Sequence, residues 1–212
     1  AVRATMASKF RNAGQTCVCA NRILVHSAVY DTYAEKLSAA VSALNAAPGM
    51  EAGSTLGPLI NAAAATKVDA HVADALAKGG RILATSGGRD DGSFRRAVII
   101  GDANPDMVLN AEETFGPVAP LFRFDTEAEA LELANATPYG LASYFYTRDL
   151  SRAFRVAERL EAGMVALNTG TIAMEMAPFG GVKQSGLGRE GGQAGIEEYL
   201  ETKAFHIGGL EL

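Results

Sequence analysis

The stretch Val118–Leu167, VAPLFRFDTEAEALELANATPYGLASYFYTRDLSRAFRVAERLEAGMVAL, decides the fold class. Val118–Phe124 reads as a short strand. Thr126 and Glu129 then form a capping box, with the hydroxyl satisfying an open amide and the carboxylate reaching back, ahead of a helix over 127–136. Ser143–Thr147 returns as a strand. Asp149 caps a helix over 150–162 that turns Ala153, Phe154, Ala157 and Leu160 to one side, and Gly163 takes the left-handed exit position. Met164–Leu167 is the next strand. Strand–helix–strand units of this length predict an α/β fold, a mainly parallel sheet covered by helices.

The same alternation extends toward the N-terminus. Residues 1–13 read as helix stopped by Gly14, and Arg22–His26 as a buried strand. Val29, Tyr33, Leu37, Val41 and Leu44 recur at helical spacing until Pro48-Gly49. A second helix over 61–78 aligns Val68, Val72 and Leu76 and ends at Gly79-Gly80. Short strands follow at Arg81–Ala84 and Ala97–Gly101. Beyond Pro178 the chain becomes glycine-dense, a helix is expected at about 191–200, and Lys203–Ile207 reads as an isolated strand. A lone strand leaves its own amides unsatisfied and needs a partner outside this segment. The opening Ala1–Met6 has no signal-peptide layout and runs straight into helix, which reads as the interior of a larger protein.

Composition bounds the function. With 212 residues, one large domain is the default. Hydrophobic residues at 48% and charged residues at 20% suit an ordinary globular core. The balance of 19 Lys and Arg against 24 Asp and Glu gives a net charge of −5, which argues against a nucleic-acid or anionic-membrane surface. No apolar run approaches the roughly 20 residues a membrane span needs. Cys17 and Cys19 are too few and too close for a disulfide framework, which favours a reducing, cytoplasmic setting.

Four patterns are candidates for chemistry. Asn12–Cys17 (NAGQTC) places a thiol after a glycine turn and before a strand. Such a cysteine can face a cleft as an activated nucleophile or sit buried as a small apolar filler, and spacing alone fits either. Cys17 and Cys19 could begin a metal site, but His26, His71 and His206 are dispersed, so no metal is expected. A Cys17–Cys19 disulfide would close a small, strained, labile ring. Gly186–Gly191 (GLGREG) matches a dinucleotide fingerprint literally, yet lacks the preceding strand and the complete βαβ unit, and reads as a flexible loop. Glu112–Pro117 (EETFGP), taken by pattern, is a solvated turn.

Together these pieces resemble one family. Asn12–Cys17 is similar to the active-site segment of the NAD(P)-dependent aldehyde dehydrogenases, Glu112–Val118 to their cofactor-ribose motif, and Pro178–Gly181 with Lys183–Glu190 (KQSGLGRE) to their C-terminal signature. The resemblance covers essentially the whole chain. It implies a catalytic domain over 1–182, then a return helix and oligomerisation strand over 183–212, with the cofactor-binding domain outside this chain. It implies Cys17 as the nucleophile, passing through a thiohemiacetal and a thioester. Glu113 and Phe115 would hold the ribose of NAD or NADP, and Phe179 would wall the aldehyde pocket. The oxyanion-hole Asn and the water-activating Glu of the family lie upstream of position 1, so the isolated chain is expected to be inactive and the longer parent a homo-oligomer.

Lys9–Asn12 beside Cys-x-Cys is closest in look to succinate-semialdehyde dehydrogenases. That likeness implies that Arg11 clamps the distal carboxylate of an acidic aldehyde, which a guanidinium fork suits. The alternative is a surface Arg on a last helical turn. Ala173 stands where those enzymes carry a carboxylate-binding Ser, so Thr169 or Thr171 substitutes, or the substrate is a glutarate semialdehyde or a sulfonated aldehyde. Cys19 resembles a redox partner of Cys17, or else a core filler. A non-catalytic thiol redox or scaffold domain is the reading from a different class.

Overall fold

The computed structural model of the chain describes residues 1–209. Helix α1 (Val2–Lys9) leads through a short 3-10 turn into strand β1 (Ile23–His26) and helix α2 (Tyr30–Ser42). Helix α3 (Ala62–Ala77), strands β2 (Arg81–Thr85), β3 (Val98–Ala103) and β4 (Val118–Phe124), and helix α4 (Glu127–Asn135) follow. Strand β5 (Ala142–Phe145), helix α5 (Leu150–Arg159) and strand β6 (Met164–Leu167) complete the regular framework.

The main sheet runs β1-β4-β3-β2. Strand β4 pairs in parallel with β1 (Ile23 opposite Leu121) and with β3 (Val98 opposite Val118), and only β2 is antiparallel (Ile82 opposite Ile100). Successive residues of a strand face opposite sides. Ile99, Ala119 and Leu121 accordingly pack with Tyr30, Ala34, Leu37 and Val41 of α2. Their neighbours Ile100, Val118 and Phe122 pack with Ala65, Val68 and Ala75 of α3 on the other face. Covering both faces is what a mainly parallel sheet requires. Each fully buried aliphatic in these two layers contributes roughly 1.5–3 kcal/mol. A separate parallel pair, β5 with β6, is bridged by α5.

Local signals behave as the sequence predicts where only neighbours are involved. Thr126 Oγ1 accepts from Glu129 N at 3.2 Å, and the Glu129 carboxylate accepts from Asp125 N at 2.8 Å. Asp149 caps α5 through the Arg152 amide at 2.9 Å.

Other expectations need correction. The N-terminal helix ends at Lys9 rather than running to residue 13, because Asn12, Ala13 and Gly14 all take positive φ. Helix α5 ends at Arg159, Ala153 and Val156 form its buried face, and Phe154 is exposed. Gly163 does not take a left-handed exit. It is needed for close approach, since a methyl there would lie 2.9 Å from the Gly180 carbonyl carbon. At the C-terminus Ala194–Tyr199 coil as a 3-10 turn where a helix over about 191–200 is expected, and Lys203–Ile207 is exposed with no strand partner among the described residues, as expected of an isolated segment whose partner lies elsewhere. The last three residues of the expected assembly segment, 210–212, lie outside the described residues.

Candidate active site

Between α1 and β1 the backbone makes an uncommon excursion. Asn12 (φ 51°), Ala13 (φ 56°) and Gly14 (φ 77°) are consecutive left-handed residues, a conformation that costs about 1 kcal/mol or more at each non-glycine. Such strain persists only where the surroundings impose it. Here Asn12 Nδ2 donates to Gln15 O at 3.1 Å, and Gln15 Nε2 donates to Asn12 O at 3.1 Å and to Pro58 O at 3.2 Å. Gln15 Oε1 accepts from Ile60 N at 2.8 Å, which ties the loop to the segment ahead of α3. Beyond the thiol, Cys19 N donates to Thr16 O at 2.8 Å, and the Tyr144 hydroxyl of β5 donates to Val18 O at 2.9 Å. Cys17 sits exposed between these anchors, while Val18 beside it is buried.

The Glu112–Pro117 loop lies directly against this turn. Gly14 passes so close that a methyl on it would overlap the Gly116 carbonyl oxygen and lie 2.5 Å from its carbon. Two segments a hundred residues apart thus touch backbone to backbone. Asn21, just past the thiols, clamps the second loop from within: its Nδ2 donates to Leu109 O at 2.9 Å and to Glu112 O at 3.2 Å, and its Oδ1 accepts from Thr114 N at 3.0 Å. Thr114 is buried, and Glu113 and Phe115 on either side of it face outward, Phe115 being 40% exposed at φ 50°.

A buried cation lies beneath the site. Lys9 is only 1% exposed and makes no ion pair within 4 Å among the described residues. Burial pulls its pKa from 10.5 down to about 8, against the opposing pull of Cys19 and Glu113. The native state therefore binds fewer protons than the unfolded chain between about pH 8 and 10.5, and stability rises with pH across that window. Lys9→Met removes a penalty of roughly 3 kcal/mol at pH 7. The variant's unfolding midpoint is expected above wild type at pH 7, with the gap shrinking by pH 10; a constant gap would contradict a buried, titrating Lys9. Tyr144 is raised to about 12, first by burial and then by Cys19, while Arg11 pulls it down. That places the Arg11 guanidinium and the thiols in one electrostatic neighbourhood around this hydroxyl.

The remaining candidates are spread more widely. Arg11 is exposed in the 3-10 turn, and its carbonyl lies 3.9 Å from the Cys19 sulfur. Phe179 is half-buried, and its backbone bonds run to Glu190 (2.7 and 2.8 Å), not to the thiol loop. Ala173 is exposed. The Thr169 hydroxyl accepts from Thr171 N at 3.2 Å within its own turn. Gly170 packs on α1, where a methyl would lie 2.8 Å from the Ala4 carbonyl carbon. Among the described residues no group of three or more His, Cys, Asp or Glu could hold a metal ion, and no helix is long and apolar enough to cross a membrane. Sequence reasoning missed the burial of Lys9 and the anchoring by Gln15, Asn21 and Tyr144, which reach Pro58, Thr114 and Val18 across long stretches of chain. The amides at 15 and 21, flanking the thiols symmetrically, were the available signal.

Comparison with known proteins decides the family. The family model described as "Aldehyde dehydrogenase family" matches residues 1–205. The chain belongs to the aldehyde dehydrogenase family. It is 57% identical to a 3-sulfolactaldehyde dehydrogenase of Pseudomonas putida, over all of this chain and 44% of that protein. It is 54% identical to a glutarate-semialdehyde dehydrogenase of Pseudomonas aeruginosa, over 99% of this chain and 44% of that protein. The crystal structure of succinate-semialdehyde dehydrogenase from Burkholderia pseudomallei superposes with a TM-score of 0.90 at 56% identity, covering 93% of this chain and 41% of that one. This aldehyde dehydrogenase chain spans less than half the length of the curated relatives it matches.

Proposed function

We propose that this chain is the thiol-bearing catalytic portion of an NAD(P)-dependent aldehyde dehydrogenase that oxidises a small aldehyde carrying a distal acid group. One observation carries the reading: the exposed Cys17 turn lies backbone to backbone against the loop that presents Glu113 and Phe115, through Gly14 and Gly116. An outward carboxylate and an outward aromatic ring beside the thiol fit the ribose and ring of a nicotinamide nucleotide, the carboxylate accepting from ribose hydroxyls.

The Cys17 sulfur, as thiolate, bonds to the aldehyde carbon, and the carbonyl oxygen takes a proton to give a thiohemiacetal. The cofactor, when bound, supplies the acceptor for the hydride lost from that carbon. As the hydroxyl proton passes to water, Cys17 is left carrying a thioester. Water then adds to the acyl carbon, the C–S bond breaks, and the carboxylate leaves as the thiol is restored. Asn12, Gln15 and Tyr144 hold the turn so that the exposed sulfur is presented in a fixed position to an incoming carbonyl. In this proposal the oxyanion-hole Asn and the water-activating Glu implied by the resemblance have no assigned counterpart among these residues, and losing one such donor costs about 10²–10³ in rate. The chain by itself is therefore expected to show no turnover, and the whole enzyme to be a homo-oligomer.

Arg11 is the acid clamp in this proposal. The names of the relatives span succinate, glutarate and sulfonate-bearing aldehydes, and one guanidinium fork accepts each of these anions. With the Thr169 hydroxyl engaged in its own turn, Thr171 is the better placed helper for a position that carries Ala173. Arg11→Leu in the whole enzyme is expected to lower kcat/KM for succinate semialdehyde by about 10- to 100-fold, leaving a neutral aldehyde of equal length nearly unchanged. Equal losses on both aldehydes would remove Arg11 from substrate recognition. Phe179 remains a candidate pocket wall and Cys19 a candidate redox partner.

A further inference from the structure

One buried titratable group plays no part in the chemistry above. His71, 3% exposed on α3, points into the back of the Glu112–Pro117 loop, with Nδ1 3.1 Å from the Thr114 hydroxyl and Nε2 3.7 Å from the Glu112 carboxylate. Its neighbours on the same helix face hold the same loop. Lys67 Nζ donates to Glu113 O at 2.5 Å, and Val68 fills the space where a side chain at Gly116 would go. Residues 67, 68 and 71 lie on one face by helical spacing, so three consecutive contacts grip positions 113, 116 and 114.

We propose that His71 is a positioning residue for the cofactor, acting through Thr114 to hold Glu113 and Phe115 at the nicotinamide ribose. The inference rests on the reading of that loop given above. Thr114 is the pivot, 2% exposed, with its amide on Asn21 Oδ1 and its hydroxyl on the imidazole. Its two neighbours are the outward-facing side chains, so any rotation at Thr114 displaces both. Burial pushes the His71 pKa down and the Lys67 cation pushes it further, against Glu112 and Asp74. The ring is therefore mainly neutral at pH 7, and the tautomer with its proton on Nε2, toward Glu112, leaves Nδ1 to accept from the Thr114 O–H. A neutral acceptor suits a buried hydroxyl; an apolar replacement leaves that hydroxyl unpaired.

The test measures the cofactor dissociation constant by fluorescence titration of the whole enzyme, together with KM and kcat for both substrates. His71→Ala and Thr114→Val are each expected to weaken cofactor binding about tenfold, with aldehyde KM and saturated kcat little changed. The double variant is expected to be no worse than either single one, and His71→Asn and Thr114→Ser to recover most of the affinity. Unchanged cofactor affinity, additive losses, or equal losses in cofactor and aldehyde KM without rescue would overturn the proposal. Glu113→Ala separates the two levels. If it weakens cofactor binding while His71→Ala does not, the positioning role fails alone; if Glu113→Ala has no effect, the loop's reading fails and this inference with it.

Discussion

Cys17→Ser is expected to lower aldehyde oxidation by the whole enzyme by on the order of 10⁴-fold or more, with the fold and cofactor affinity preserved. A hydroxyl is nearly isosteric with the thiol, but at neutral pH it is scarcely ionised and is a far weaker nucleophile than a thiolate. In the proposed mechanism the exposed Cys17 sulfur forms the bond to the carbonyl carbon, so its loss is not shared with other residues. Cys19→Ser is the matched control. Cys19 is only partly exposed, and its sulfur leans on the Arg11 carbonyl. That variant should keep turnover of the same order as wild type. Steady-state assays of both proteins check the pair, and comparable losses at the two positions would show that the turn, rather than the atom, is what matters.

Gly14→Ala should be severely damaging for so small a substitution. At φ 77° an added methyl meets the left-handed penalty of roughly 1 kcal/mol. It also overlaps the Gly116 carbonyl, and neither backbone can yield without moving Cys17 or Glu113, an overpacking cost of about 1–3 kcal/mol more. Gly53 has a similar φ of 81° but open space around it, so Gly53→Ala incurs the conformational cost alone. The difference between the two variants in chemical denaturation therefore isolates the loop–loop contact. Activity should fall sharply for Gly14→Ala, by on the order of 10²-fold from displacement of the reacting groups, and stay unchanged for Gly53→Ala. Equal destabilisation of the two would mean that the contact between the loops contributes nothing.

What could be read from the sequence follows the range of each interaction. The capping box at Thr126 and Glu129 and the Asp149 cap involve residues three or four apart, and both form. The strands at 23–26, 98–103 and 118–124 announce themselves by apolar runs because helices cover both faces of their sheet. Periodicity misled at α5, where Phe154 matched the apolar stripe but the sheet-facing side is set by Ala153 and Val156. It also missed the end of α1, because the left-handed run at Asn12 and Ala13 is imposed by Gln15, Pro58 and the Gly116 backbone rather than by local preference. Lys203–Ile207 has strand-like composition, and no described residue of this chain pairs with it, in keeping with a partner outside the segment.

The site divides the same way. Cys17, Glu113 and Phe115 stand out as candidates in the sequence because short motifs carry them. The residues that set their geometry were not: Tyr144 reaches Val18 across 126 positions, Asn21 reaches Thr114 across 93, and His71 reaches Thr114 across 43. Nothing in a single sequence marks a tyrosine on a strand as the anchor of a distant turn. Lys9 was hidden for another reason, since a lysine at the end of a helix normally reads as a solvated cation favoured by the helix dipole, and only the packed structure shows it buried.

The most direct test follows the acyl group. The whole enzyme is mixed with an acidic semialdehyde and oxidised cofactor, quenched in acid within a turnover, digested, and its peptides weighed. The account predicts the mass of one acyl group on the sulfur of Cys17 and none on Cys19; acylation of Cys19, or no acylated peptide from an actively turning-over enzyme, would contradict it.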